Sequence, residues 1–430
     1  MSDHTYAARP LRDAVVEQMG GGTPSRHVAS YWKGDIPWAS VKDFPEQPGM
    51  ISGTQEKISL AGLNASASNL VPARIPLVCT RMAVGRSAMS SVAMAINQDV
   101  RALFPAPDVS PTYLLRLLDF VRPKAEAQAV GSTVKGIRIQ DYLGIEVPIA
   151  DPPQQSKIAE VLDTLDTAIH ETEALIAKLK AVKKGLLHDL LTRGIDANGE
   201  LRPPQSEAPD LYKSSPLGWI PYDWEAGPLQ LWLSEKPKNG YSPKEAGEWT
   251  GCQMLGLGCL TGVGFEPSQL KNAPFADARL DSVMLSDGDL LMSRANTRQL
   301  VGLVGVYADV GTPCAYPDLM MRLKPTVETS AQYLQFVLRS PMLRRQIQAH
   351  AVGTSESMVK ISGRIVRDLV VAMPDGQEQA RILDALSADS TNLDSELKAV
   401  SALRDLKFGL MYDLLTGRVR VTPLLGAATA

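Results

Sequence analysis

The residues of this 430-residue chain that could do covalent or metal chemistry are few, and their spacing argues against it. His4, His27, His170, His188 and His350 are scattered and form neither a ligand set nor a triad. Cys79, Cys252, Cys259 and Cys314 contain no C-x-x-C and have no histidine at zinc spacing. They read as small core residues of a protein in a reducing, cytoplasmic compartment. The run DPPQ (151–154) resembles the motif with which amino-methyltransferases hold a flipped base, but that chemistry needs an aromatic ring where Gln154 stands. Asp375 with Glu396 and Lys398 has the outline of a metal-dependent nuclease signature. Glu396 falls well inside a helical pattern, roughly 25 Å from its start, too far to join Asp375 around one ion. No G-x-x-x-x-G-K-[ST] loop is present for ATP. The expectation is a chain with no catalytic residue, no metal and no cofactor of its own.

Cations are the remaining chemical resource. The net charge of −3 gives no global sign of a polyanionic partner. Locally the balance differs: from Val71 to Gln140 nine Arg and Lys stand against four Asp and Glu, and from Met321 to Ala372 eight stand against three, a net of +5 each time. Arg81 and Arg294 each close an apolar, strand-like run (LVCTR and LLMSR), and Arg86 and Arg298 follow a few residues later. An arginine projecting from a strand end has the forked geometry that pairs with guanine O6 and N7. Lys42, Lys135, Arg138, Lys360 and Arg364 read as phosphate contacts, with Ser132, Thr133, Thr354 and Ser355 as added hydroxyl donors. Trp32, Trp38, Trp219, Trp224 and Trp249 read as core residues instead of stacking platforms.

What must position these residues is written twice. GLLHDLLTRGI (185–195) returns as GLMYDLLTGRV (409–419), 224 positions later. The same offset carries Ile158 onto Ile382, Leu162 onto Leu386, Ile176 onto Val400 and Lys183 onto Lys407, and AVGST (129–133) is matched by AVGTS (351–355). A period above 200 residues means two domains of one architecture, not a solenoid. Apolar steps of three and four hold a heptad seam from Ile158 to Leu190 and again from Ile382 to Leu414. Pro152, Pro153 and Pro374 stand before these helices, and Gly194 and Gly417 after them. Each should run about 38 residues, or roughly 57 Å. That is too long for one small domain, so the two are expected to pair antiparallel through their seams. Matched end to end, Lys183 falls opposite Asp389, and these two polar interruptions are expected to fix the register. The opening MSDHTYAARP has no apolar signal core, and no run of about 18 apolar residues occurs, so no membrane association is expected.

GGTPS (21–25), YWKGDIPWASVKD (31–43), GSTVKGI (131–137), VPIADPPQQSKIAEVLDTLD (147–166) and LLTRGI (190–195) follow one another in the order of the blocks of a known family. The chain resembles, over essentially its full length, the specificity subunits of type I restriction-modification enzymes. The fold expected from the repeat and this resemblance is α+β: two similar mixed α/β target recognition domains separated by two long antiparallel helices, a pseudo-two-fold dumbbell. The expected segments are a first recognition domain (1–152), a spacer helix (153–194), a second recognition domain with its linker (195–375), a second spacer helix (376–418) and a tail (419–430). The resemblance implies that each domain reads one half of a bipartite sequence in double-stranded DNA. It also implies that two methyltransferase subunits dock on the chain, that they bind the S-adenosylmethionine used to methylate adenine, and that restriction subunits join the assembly. GGTPS has no counterpart around 238–249, so the two half-sites are expected to differ. The competing reading is a coiled-coil adaptor whose two globular ends bind proteins and not DNA.

Overall fold

The computed structural model describes residues 5–274, 277–353, 356 and 358–425, and for 388–391 the backbone alone. The chain mixes helix and sheet and divides into two compact units, Met1–Leu175 with Glu396–Ala430, and Ile176–Ser395. The two long helices, Pro152–Thr192 and Gly376–Thr416, have 41 residues each, and each is shared between the units. A helix with an apolar seam belongs to whatever it packs against, not to the domain it follows in sequence.

In the first unit a five-stranded sheet runs in the order Val15–Gly20, Val100–Pro105, Pro76–Cys79, Ser87–Ser90, Met50–Ile51, with only the last pair parallel. A four-stranded sheet, Glu56–Ile58, Ile36–Ala39, Met94–Ile96, Asn69–Val71, and the antiparallel pair Ala8–Pro10 with Glu146–Pro148 complete the β framework. Helix Pro111–Gln128 starts where proline and the Ser110 hydroxyl cap its first turn. Its Tyr113, Leu114, Leu117, Leu118 and Val121 bury against Val78 and Leu103 of the sheet, Ile158 and Leu162 of the first long helix, and Leu414 and Leu415 of the second.

The second unit repeats this plan with a four-stranded antiparallel sheet, Lys238–Asn239, Met320–Leu323, Leu290–Ser293, Val304–Val306, beside a three-stranded one, Leu270–Asn272, Gln253–Leu255, Cys314–Ala315. Two helices, Ala331–Arg339 and Pro341–His350, stand where the first unit has one that runs through Pro123; Ser340 ends the first of the two and caps the second through its hydroxyl. Leu290, Met292, Met321, Tyr333 and Val337 pack with Leu190 of the first long helix and Ile382 and Leu386 of the second.

The seam residues Ile158, Leu162, Ile169, Ile176, Leu190, Ile382, Leu386, Val400 and Leu414 are buried. Within the first unit Asp166 meets Lys407 at 2.7 Å and Glu173 meets Arg404 at 2.5 Å, so the two segments run antiparallel. A glutamine fastens the start of each long helix. Gln155 accepts from the Ser110 N–H (2.9 Å) and donates to the carbonyls of Asp108 (2.9 Å) and Ala150 (3.0 Å). Gln379, 224 positions on, accepts from the Ser330 N–H (2.8 Å) and donates to the carbonyls of Pro374 (3.0 Å) and Glu328 (3.4 Å). The expected partner of Lys183, Asp389, has its side chain outside the described residues. Lys407, the repeat equivalent of Lys183, is buried beside both Asp166 and Asp119 (3.6 Å).

Trp38 and Trp224 are core residues, but Trp219 and Trp249 are each 56% exposed, which corrects their assignment to the core. Trp219 lies on the two-stranded hairpin Tyr212–Ser215 and Gly218–Pro221, which is too narrow to bury both of its faces. Cys79, Cys259 and Cys314 are buried free thiols and Cys252 is half-buried. Burial pushes Cys79 and Cys314 up to about 12, which keeps them protonated and unreactive. Among the described residues no helix is long and apolar enough to cross a membrane.

Candidate nucleic-acid interface

In the first unit the strand Pro76–Cys79 runs out into Thr80 and Arg81. Thr80 is tied on both sides: its N–H donates to the Asp99 carbonyl (2.8 Å), and its carbonyl accepts from the Ile137 N–H (2.9 Å). Arg81 leaves the core at this point, its side chain 53% exposed and its guanidinium 3.4 Å from the Asp99 carboxylate. Asp99 is buried and held in turn by Asn97, whose amide donates to the carboxylate (3.2 Å) and whose oxygen accepts the Asp99 N–H (3.0 Å). A buried acid fixed by its neighbours thus aims an exposed guanidinium, the support a recognition side chain needs.

Residues 130–136 form a hairpin beside this strand end. Val130 and Gly136 exchange backbone hydrogen bonds of 2.9 Å, and the Lys135 carbonyl accepts the Met82 N–H at 2.9 Å. Gly131 has φ +127°, and a Cβ there would lie 2.2 Å from the Val134 carbonyl oxygen, so the glycine of the repeated AVGST motif is a conformational requirement. Ser132, Thr133 and Lys135 are exposed. Arg86 is paired with Glu46, and Arg138, just before helix Ile139–Leu143, is paired with Asp141 at 2.7 Å. A cleft of about 320 Å³ opens among Met82, Arg86, Arg122, Glu126 and Lys135. Lys42 stands apart from this group in the sequence, exposed on the turn Val41–Asp43, which Ser40 and Asp43 hold as a capping box.

The second unit rebuilds the frame with other side chains. Ser293 pairs with Met320 as Cys79 pairs with Val100. The Arg294 N–H donates to the Leu319 carbonyl (2.7 Å), and the Arg294 carbonyl accepts from the Ile361 N–H (2.9 Å). Val352 and Lys360 exchange the hairpin hydrogen bonds. Arg294 is therefore the counterpart of Thr80, and the counterpart of Arg81 is Ala295. The likeness of LVCTR and LLMSR misleads by one residue, and one step along a strand puts the side chain on the other face. Arg294 is half-buried and donates to the Asp318 carbonyl at 3.4 Å. Arg298 binds the Glu356 carboxylate (2.7 Å) and the carbonyls of Gln348 (2.9 Å) and Ala351 (3.3 Å), which makes it a staple of its loop. Lys360 is exposed opposite Ala295, and Arg364 is exposed with its guanidinium 3.8 Å from Asp368. Thr354 and Ser355 lie outside the described residues.

Hydrogen bonding to Asp141 and to Glu356 raises Arg138 and Arg298 above the ordinary arginine value, and Arg298 holds Glu356 below the usual carboxylate range. Exposed pairs of this kind contribute little to stability, so a phosphate can replace the carboxylate at small cost. Thus Arg81, Arg86, Lys135 and Arg138 gather around one strand end, and Arg294, Arg298, Lys360 and Arg364 around its counterpart. Sequence reasoning missed the buried support, Thr80, Asn97 and Asp99. The signal was present in the N-Q-D spacing, since an asparagine side chain commonly bonds the backbone two residues on.

Residues 9–181 match the family model described as the type I restriction modification DNA specificity domain. The chain is similar to the type I restriction enzyme MjaVIII specificity subunit of Methanocaldococcus jannaschii, 21% identical over 322 residues that cover 73% of this chain and 71% of that protein. It is similar also to the EcoKI specificity subunit of Escherichia coli, 25% identical over 264 residues, 61% of this chain and 54% of that one. The chain thus spans about half the length of the latter. Among solved structures, the type I restriction-modification S subunit from M. genitalium is 14% identical with a TM-score of 0.54, covering 96% of both chains. A chain from a study of assembly and conformational transition of the type I R-M system is 14% identical with a TM-score of 0.60, covering 96% of this chain and 98% of that one. At such identity these structures establish the fold.

Proposed function

We propose, from its likeness to type I restriction-modification specificity subunits, that this chain selects the DNA sequence on which a methyltransferase partner acts. Each unit reads one half of an asymmetric bipartite target in double-stranded DNA. Arg81 reaches a base edge in the first unit, Arg294, one residue out of step in the second, meets the DNA from the other face of its strand end, and Lys42, Lys135, Arg138, Lys360 and Arg364 bind phosphates. The long helices, 41 residues and roughly 60 Å each, set the unspecified gap between half-sites on the order of one DNA turn, about 34 Å. They also dock two methyltransferase subunits, which bind S-adenosylmethionine and supply the catalytic groups, and restriction subunits complete the nuclease.

The observation that carries this reading is the recurrence of one strand-end and hairpin frame in both units with different residues on it, Thr80-Arg81-Met82 in one and Arg294-Ala295-Asn296 in the other. One frame with two faces suits a target of two unlike halves. Single-molecule methylation mapping of DNA from cells carrying the chain and its co-purifying methyltransferase tests it. The expected result is a bipartite, asymmetric methylated motif that disappears when the chain is removed. Unchanged methylation in an assembled, active complex would overturn the reading in favour of the protein-binding adaptor.

A further inference from the structure

We propose that Met82 is a base-reading residue of the first unit, its side chain packing on the 5-methyl group of a thymine in that half-site; this deepens, and rests on, the DNA-reading function above. Met82 is 65% exposed and sits at φ +65°, one of two non-glycine residues in the left-handed region among the described residues, with Arg74. Its N–H is held by the Lys135 carbonyl, it follows Arg81 directly in the chain, and it lines one cleft together with Arg86 and Lys135. Val130 and Val134 of the hairpin that carries Lys135 are exposed as well.

A long apolar side chain held in water at a backbone angle that its type disfavours does nothing for the unit's own core. Backbone strain of this kind is kept where the presented group is used. The flanking cations direct this apolar tip to a phosphate-lined surface. The apolar feature that a base pair offers in the major groove is the thymine methyl group. In the strand pairing the second unit carries Asn296 at this place, without a left-handed backbone and with its side-chain oxygen accepting the Thr297 N–H at 2.8 Å, so the exposed left-handed presentation belongs to the first unit.

The test uses the complete chain assembled with its methyltransferase partner. Binding is measured to duplexes in which each thymine of the mapped first half-site is replaced, one at a time, by deoxyuridine, which lacks the methyl group. The expected loss is about fourfold at a single position for the unaltered chain, the worth of one buried methyl group. It should vanish in Met82→Ala. In methylation mapping, Met82→Asn should change the base accepted at that same position and leave the second half-site unchanged. Asparagine takes the left-handed region more readily than methionine, so the variant keeps the loop, and the intact second half-site reports correct assembly. Deoxyuridine tolerated at every position, a Met82→Ala complex as sensitive as the unaltered one, or an unchanged first half-site in Met82→Asn would each overturn the proposal. A complex with no chain-dependent motif at all is a different failure, that of the DNA-reading function itself.

Discussion

At the scale of single residues, what separates a reading side chain from a structural one is what holds it. Arg81 has one partner, a buried carboxylate at 3.4 Å, and more than half of its surface free, whereas Arg298 is spent on a carboxylate and two carbonyls. Arg81→Ala is therefore expected to weaken binding about 5- to 150-fold, the cost of about 1–3 kcal/mol for a lost bidentate contact, and to relax the first half-site alone. Titration with duplexes altered in either half checks this, and a uniform loss across all sequences would make Arg81 a phosphate contact. Glu378 is purely structural. It is 4% exposed and accepts from Arg202 (3.0 Å), the Trp224 indole (3.1 Å) and the Ile195 N–H (2.9 Å). Glu378→Gln removes the buried charge opposite Arg202, leaving that guanidinium the Arg193 carbonyl (3.2 Å) and the exposed Asp223 (3.9 Å), and should lower stability by about 3 kcal/mol in urea unfolding, with Arg202→Met in the same chain recovering part of the loss. The Asp99 support left a trace in the N-Q-D spacing, but that of Glu378 was not legible in the sequence, since Arg202 and Glu378 lie 176 positions apart and no pattern links them.

At the scale of elements, the long helices were the most legible part of the molecule, because a 224-residue repeat and a heptad seam are both linear signals. Strand register was not, since it depends on the partner strand. That is why Arg81 and Arg294 look equivalent in sequence and stand one residue out of step in the sheets. The paired glutamines were equally hidden, though each secures a helix start. Gln155→Ala leaves the Ser110 N–H and two carbonyls without partners and should cost about 1–3 kcal/mol for each group that stays buried. Loss of amide-exchange protection should appear first around residues 108–113, and retained protection there would count against the clamp. For the helices as rulers, inserting seven residues into both at matched positions should lengthen the gap in the methylated motif and leave both half-sites as they were. A motif of unchanged spacing would dissociate helix length from target geometry.

At the scale of the whole molecule, the division of the chain into units has a consequence for how it is made. The second unit, Ile176–Ser395, is one unbroken stretch, whereas the first needs Glu396–Ala430 to cover the apolar residues of its opening 175. A ribosome therefore delivers everything the second unit requires while the first, begun earlier, still waits with Ile158 and Leu162 uncovered. Synthesis in this order runs against the order of the sequence. The part made first is completed last, and through that interval it presents a sticky surface of the kind that chaperones hold and proteases test. Pulse proteolysis during synthesis should find residues 176–395 protected before 5–175, and a nascent chain stalled before residue 396 should be cut preferentially in its first 175 residues.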